Sequence, residues 1–225
     1  MSRDWQRDKP EPGRVFNREM PPVDGRLWAE MFRYLKTRDL PFMLAKNNGW
    51  YPSSDAGDAI PRVVVPATST SHDNLFWQAR ALDEVSKRYL SPFAPRGDAL
   101  IIVRPLGYHA SAARSAWQEA RRLIVEGPMD ALAAADLGYY SIAWMGTDPT
   151  PDVLSLTTRL IRGRILTMLA DRDAVSAMSR FIGALADSVT AVRLLVPPPP
   201  YKDLAAMPFH KRVQLLEESD GRTGA

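Results

Sequence analysis

Leu100-Ile101-Ile102-Val103 decides how the chain reads. It is four apolar residues between Asp98 and Arg104-Pro105, too short for a helix and apolar on both faces, as a strand buried on both sides must be. Two similar runs flank it. Val63-Val64-Val65 ends at Pro66, and residues 139–145 read Tyr-Tyr-Ser-Ile-Ala-Trp-Met. Helical periodicity fills the intervals. Leu75, Ala79, Leu82 and Tyr89 share one side of a helix over 71–90, and Ala113, Ala116, Trp117, Ala120 and Ile124 one side of a helix over 111–126, stopped by Gly127. A short helix near 129–135, two long helices over 152–170 and 173–188, and a last strand over 191–196 follow. Strands of four to seven residues alternating with helices predict an α/β domain, a mostly parallel sheet of three to five strands covered by helices. A first helix over 24–38, with Leu27, Trp28, Met31, Phe32 and Leu35 on one face, precedes it.

The ends differ in composition. Residues 1–24 hold five Pro and Gly among alternating charges. They read as an arm that a partner orders, with Trp5 and Phe16 as anchors. Residues 25–196 form the domain. Residues 197–225 are the stiff Pro197-Pro198-Pro199-Pro200 spacer, a C-terminal helix over 203–218 and a polar tail. Leu204 and Phe209 there, and Arg164 on the apolar arc of the 152–170 helix, are the other interface candidates, since Arg is favoured in interface cores.

Composition excludes some chemistry. The 225 residues contain no Cys, which removes disulfides, thiol catalysis and Cys-based zinc sites. The three histidines show no metal-ligand spacing, so no cofactor or metal is expected. No apolar run has membrane-spanning length, which predicts a cytoplasmic protein, or one built into a particle assembled there. The net charge of +3 comes from 29 cations interspersed with 26 anions, a poor match to a phosphate-tracking face.

Ligands of parallel sheets bind beyond the strands' carboxyl ends. That rule nominates Thr68, Ser69, Ser71, Arg104 and Thr147 as anion-binding candidates. Should the chain be an enzyme, it nominates Ser69, His109 and Asp148 as a nucleophile, base and orienting acid. No nucleophile elbow, dinucleotide fingerprint or P-loop supports this. The arms therefore lead to a non-catalytic assembly subunit, possibly homo-oligomeric, of a virus particle or another multisubunit machine. A small-ligand or phosphate-binding enzyme or sensor at the strand-end rim is the alternative. Nucleic-acid binding through Arg114, Arg121, Arg122, Arg159 and Arg162 is the third reading.

Overall fold

The computed structural model describes residues 24–56, 59–70, 76–83, 87–93, 96–106 and 121–219. Helix α1 (Gly25–Thr37) starts where the Asp24 carboxylate accepts the Arg26 amide at 2.9 Å, satisfying one of the first turn's free donors. Met31 and Leu35, one turn apart, are fully buried. Helix α2 (Phe42–Asn47) follows, and Gly49, at φ +78°, turns the chain into the first strand.

Four strands form an antiparallel meander in chain order: β1 (Tyr51–Ser53), β2 (Arg62–Pro66), β3 (Trp77–Ala81) and β4 (Tyr89–Leu90). The second sheet contains β5 (Ile101–Val103), β6 (Arg122–Val125), β7 (Tyr140–Ala143), β8 (Ile165–Leu169) and β9 (Ala191–Leu195), in the spatial order β5-β7-β6-β8-β9. Strand β5 runs antiparallel to β7, and the other pairs are parallel. Helix α3 (Pro128–Asp136) joins β6 to β7, and α4 (Pro151–Ile161) joins β7 to β8. Two five-residue helices, α5 (Val175–Ser179) and α6 (Ile182–Ala186), join β8 to β9, and α7 (Phe209–Ser219) ends the described chain. A bridge between Thr68 and Leu100 stitches the two sheets together.

Period-2 alternation in β6 sets the layers. Leu123 and Val125 enter one cluster with Met31, Leu35, Val63 and Val65 and the α3 residues Ala131 to Ala135. Ile124 enters the opposite one with Trp144, Val153, Leu156, Met168, Met178 and Leu185. The Trp144 indole donates to Thr157 Oγ1 at 3.1 Å, so this buried ring keeps its polar atom paired.

The fold is thus mixed α/β, partly antiparallel and partly parallel, which corrects the mostly parallel sheet. Val63-Val64-Val65 lies between two antiparallel neighbours and shares no ladder with Leu100-Ile101-Ile102-Val103. An uninterrupted apolar run reports burial of both faces and carries no information about the direction of its neighbours. The helix expected over 71–90 holds β3 and β4. In β3, Trp77, Ala79 and Ala81 are buried and Gln78 and Arg80 half-buried, a period of two that Ala79 and Leu82 also fit at helical spacing. The stretch 122–125 is the central strand β6, and Gly163, at φ +67°, ends α4 so that 165–169 becomes β8. The helix expected over 173–188 is the α5–α6 pair.

The C-terminal segment packs on its own domain. Leu204, Met207 and Leu216 join the α1–α3 cluster, and α7 begins after Pro208. Its Arg212 is fully buried, donating to the carbonyls of Arg38 and Asp39 at 2.7 Å each, Leu204 at 3.1 Å and Ala205 at 3.3 Å. A planar guanidinium can address four acceptors at once, which an ammonium cannot. The loop after β9 is thereby fixed to the turn after α1.

Candidate active site

Strand β6 connects to β7 on one side of the sheet and β8 connects to β9 on the other, yet β6 and β8 are adjacent. Their carboxyl ends therefore diverge into a crevice, the place where open parallel sheets bind ligands. Strand β6 delivers Glu126 and Gly127 to it, and β8 delivers Asp171 and Asp173. The loop after β9 adds Lys202 and Asp203, and Asp130 projects from the first turn of α3. Glu126, Gly127, Asp130, Asp171, Lys202 and Asp203 line a cavity of about 380 Å³.

Crowding shapes the acids. Asp171 is raised to about 7, by burial first and then by the Glu126 and Asp203 charges. Its Oδ1 is buried without a hydrogen-bond partner. Asp130 is pushed well above the carboxylate range by burial and by Asp203 and Asp171, against the Ala205 amide that donates to its Oδ1 at 2.8 Å. Burial and the Asp173 charge raise Glu126, with Lys202 opposing. Asp173 is held low by the Lys202 ammonium, 3.0 Å from its Oδ2. A side chain at Gly127 would start 3.4 Å from Asp130 Oδ2 and 3.8 Å from the Tyr89 hydroxyl, so its absence keeps the cavity open.

The antiparallel sheet and α1 supply the facing wall. Arg38, Arg80, Arg88 and Tyr89 line the same cavity. Arg80 Nε donates to the Tyr34 hydroxyl at 2.9 Å and its guanidinium stands 4.8 Å over the Tyr89 ring. The Arg38 guanidinium stands 5.1 Å over the Tyr34 ring. Two tyrosines thus brace two cations opposite the carboxylates, and burial raises the Tyr89 hydroxyl.

Among the described residues, no three His, Asp or Glu side chains stand close enough to cage a metal ion. The donors nevertheless fit a hard divalent cation that needs no cage. Mg²⁺ takes one or two carboxylates, keeps several waters and completes its shell with substrate phosphates. An orphaned, buried carboxylate oxygen on Asp171 among other carboxylates is the donor such an ion stabilises.

The residues nominated from the sequence lie elsewhere. Thr68 forms the inter-sheet bridge, and Ser69 and Thr70 donate to Asp98. Burial acts to raise Asp98, but these hydrogen bonds hold it low. Arg104 exchanges backbone hydrogen bonds with the Asn48 side chain. Thr147 is half-buried and Asp148 exposed in the loop after β7, and neither lines the cavity. Arg164 sits just before β8, at the end away from the carboxylates. Leu204 is core and Phe209 the exposed first residue of α7. Ser71, His109, Trp5, Phe16 and Arg114 lie outside the described residues. Arg122 is fully buried with its guanidinium 4.6 Å over the Tyr140 ring, so it belongs to no open cationic face. The signals that the sequence hides are Glu126-Gly127-Pro128-Met129-Asp130 and Asp171-Arg172-Asp173, which follow β6 and β8, strands whose residues also fit helical spacing.

No family model and no curated protein matches the chain. Solved structures do: primase catalytic domains share this fold. The Aquifex aeolicus primase, comprising zinc-binding and RNA polymerase domains, is 18% identical with a TM-score of 0.62, over 87% of this chain and 56% of that one. The Escherichia coli primase catalytic core is 19% identical with a TM-score of 0.59, over 85% of this chain and 72% of that one. The RNA polymerase domain of Mycobacterium tuberculosis primase, in complex with a double-stranded DNA oligomer with a 6-nucleotide overhang, is 17% identical with a TM-score of 0.59, over 89% and 74%. The chain thus spans little more than half of the Aquifex protein. These neighbours overturn the assembly-subunit and virus-particle reading, because they are primase catalytic domains and not structural subunits. Among the described residues, no helix is long and apolar enough to cross a membrane.

Proposed function

We propose that this chain is a divalent-cation-dependent enzyme acting on nucleic acid by nucleotidyl transfer, a primase-type catalytic core. The observation that carries the reading is the cavity itself, with Glu126, Asp130 and Asp171 on one wall and Arg38, Arg80 and Arg88 on the other. That opposition suits a nucleoside triphosphate and a growing strand, whose phosphates need cations and whose reaction needs a held divalent ion. Residues 25–219 act as one unit, since α7 fixes the loop that brings Lys202 and Asp203 to the cavity.

Asp171 and Asp173 would hold the cation beside Glu126, and it would supply neutralisation of phosphate charge and polarisation of the reacting phosphoryl group. The other residues do the rest. Arg80 and Arg38, braced by Tyr34 and Tyr89, bind and orient phosphate oxygens without reorganising. Gly127 lets a substrate approach the backbone at the end of β6. Asp130, bonded to the Ala205 amide, holds the loop after β9 against α3. Nucleic acid is the partner, and its affinity should fall with salt as counterions are released.

The test is primer synthesis. The protein is incubated with single-stranded DNA of mixed sequence, labelled ribonucleotides and Mg²⁺ or Mn²⁺. Short oligoribonucleotides are expected from the wild type, and a loss of about 100-fold or more in Asp171→Asn and Glu126→Gln. A folded wild type that makes no product with either cation refutes nucleotidyl transfer.

A further inference from the structure

The loop after β9 leaves Lys202 with a fixed backbone and a movable side chain. Its carbonyl accepts the Arg172 amide at 3.1 Å, between Asp171 and Asp173, and the next residue but two, Ala205, is bonded to Asp130. Four consecutive prolines precede it, and the Tyr201 amide bonds back to the Pro198 carbonyl at 3.0 Å. The anchor is rigid on both sides. The side chain is not: Lys202 is 59% exposed, and so is its partner Asp173, at 67%. Lys202 nonetheless lines the cavity, as a cation on the wall that otherwise carries the acids.

Asp173 faces two claims. Its Oδ2 lies 3.0 Å from Lys202 Nζ, and, two residues after Asp171 and just outside the cavity lining, it is one of the carboxylates proposed above for the divalent ion. One carboxylate between an ammonium and a divalent cation cannot serve both at full strength, because the two cations repel each other at contact distance. A displaced ammonium on a four-carbon stem, anchored at the cavity rim beside carboxylates that the cation now neutralises, can turn toward the phosphates that the arginines hold in the cavity.

We infer that Lys202 is a phosphate-binding residue which Asp173 holds in reserve, released when a divalent cation takes that carboxylate. The site then loads in order, cation before triphosphate, and the two ligands favour each other through one side chain, reciprocally as linkage requires. This rests on the cation site proposed above.

The experiment is calorimetric titration of the full chain with Mn²⁺ alone, and then with ATP at saturating Mn²⁺, on the wild type, Lys202→Ala, Lys202→Arg and Asp171→Asn. Thermal melting checks that each is folded. Lys202→Ala is expected to bind Mn²⁺ about two- to fivefold more tightly than the wild type, the range an exposed ion pair can contribute. It should bind ATP about tenfold more weakly once Mn²⁺ is in place. Lys202→Arg should stay within about twofold of the wild type on both, since it keeps the charge. Unchanged or weakened Mn²⁺ binding in Lys202→Ala overturns the competition while leaving the cation site standing. Unchanged ATP binding overturns the phosphate role. A wild type that binds no Mn²⁺, or whose Mn²⁺ binding survives Asp171→Asn intact, sinks the cation site and this inference with it.

Discussion

Replacing Arg212 by Met should destabilise the protein by about 3–5 kcal/mol, and the number follows from what the guanidinium touches. The side chain donates to four carbonyls, those of Arg38, Asp39, Leu204 and Ala205. Met keeps most of the stem's volume, so the cavity contribution is small and lost hydrogen bonding dominates. The Arg38 and Asp39 carbonyls lie at partly buried bonds and can recruit water. The Leu204 and Ala205 carbonyls lie at buried bonds and cannot, so each costs about 1–3 kcal/mol when left unpaired. Asp39 and Asp136, whose charges act on the guanidinium, lose a counter-ion as well. Against a total of about 5–15 kcal/mol for a domain, this is a large share. Urea unfolding followed by tryptophan fluorescence measures it as a fall in midpoint at constant slope. Lys at this position should recover only part, because three donors on one nitrogen cannot span four acceptors. A loss below about 1 kcal/mol in the Met variant would refute the claim that this buried cation holds the loop in place.

The carboxylate cluster gives a stability–pH dependence whose sign can be worked out. Asp171 moves from its ordinary 3.8 to about 7 in the folded chain, so between those values the unfolded chain binds fewer protons and stability falls as pH rises. Glu126 and Asp130 act in the same direction. Melting in chelator should show this decline from about pH 4 to 7, and Asp171→Asn should flatten it; a melting temperature that climbs through the window contradicts the crowding described. Gly127→Val should fold normally, since φ of −119° suits any residue, yet lose nucleotide binding because the branched side chain enters the cavity beside Asp130; unimpaired ATP binding by calorimetry would show that the cavity is not the substrate site. Arg80→Ala should weaken ATP by about 10-fold or more, and Tyr34→Phe, which removes only the brace, by about two- to fivefold; equal losses in both would make Tyr34 a direct ligand.

The parts of this architecture that could be read in the chain are those where local chemistry is unambiguous. Asp24 before an amphipathic run gives α1, Gly127-Pro128 gives the start of α3, and the aromatic and β-branched run after Gly138 gives β7. The candidate site is hidden in the sequence because β6 and β8 are. Each is a four- or five-residue strand adjoining a stretch of helical periodicity, and its apolar residues continue that period closely enough to be absorbed. Leu123-Ile124-Val125 extends the pattern through Trp117 and Ala120, and Ile165, Met168 and Leu169 extend the one through Leu160 and Ile161. The rule that ligands sit at strand carboxyl ends was sound. Applied to β2, β5 and β7, it pointed at an antiparallel meander and at one side of the parallel sheet, whereas the chain reverses its direction of winding between β6 and β8. Gly163, at φ +67°, carries the break that separates α4 from β8, but a glycine in a helical run is also tolerated as helix.

Charge misled for a related reason. Cations and anions alternate along the chain, and interspersion in one dimension suggested a neutral, mixed surface. The fold sorts them in three. Arg38, Arg80 and Arg88 come from α1 and the meander, while Glu126, Asp130, Asp171 and Asp203 come from the ends and first turns that follow the parallel strands. The sheets are stitched at Thr68 and Leu100, so residues far apart in sequence meet as two walls of opposite sign. Such an arrangement stores repulsion among the carboxylates, which adds to burial in raising Asp171, and a ligand that brings both signs relieves it. A cation with a polyphosphate is such a ligand, its positive part facing the carboxylates and its negative part the arginines. The excess of one sign on each wall, and not the chain's net charge of +3, is the quantity that selects it.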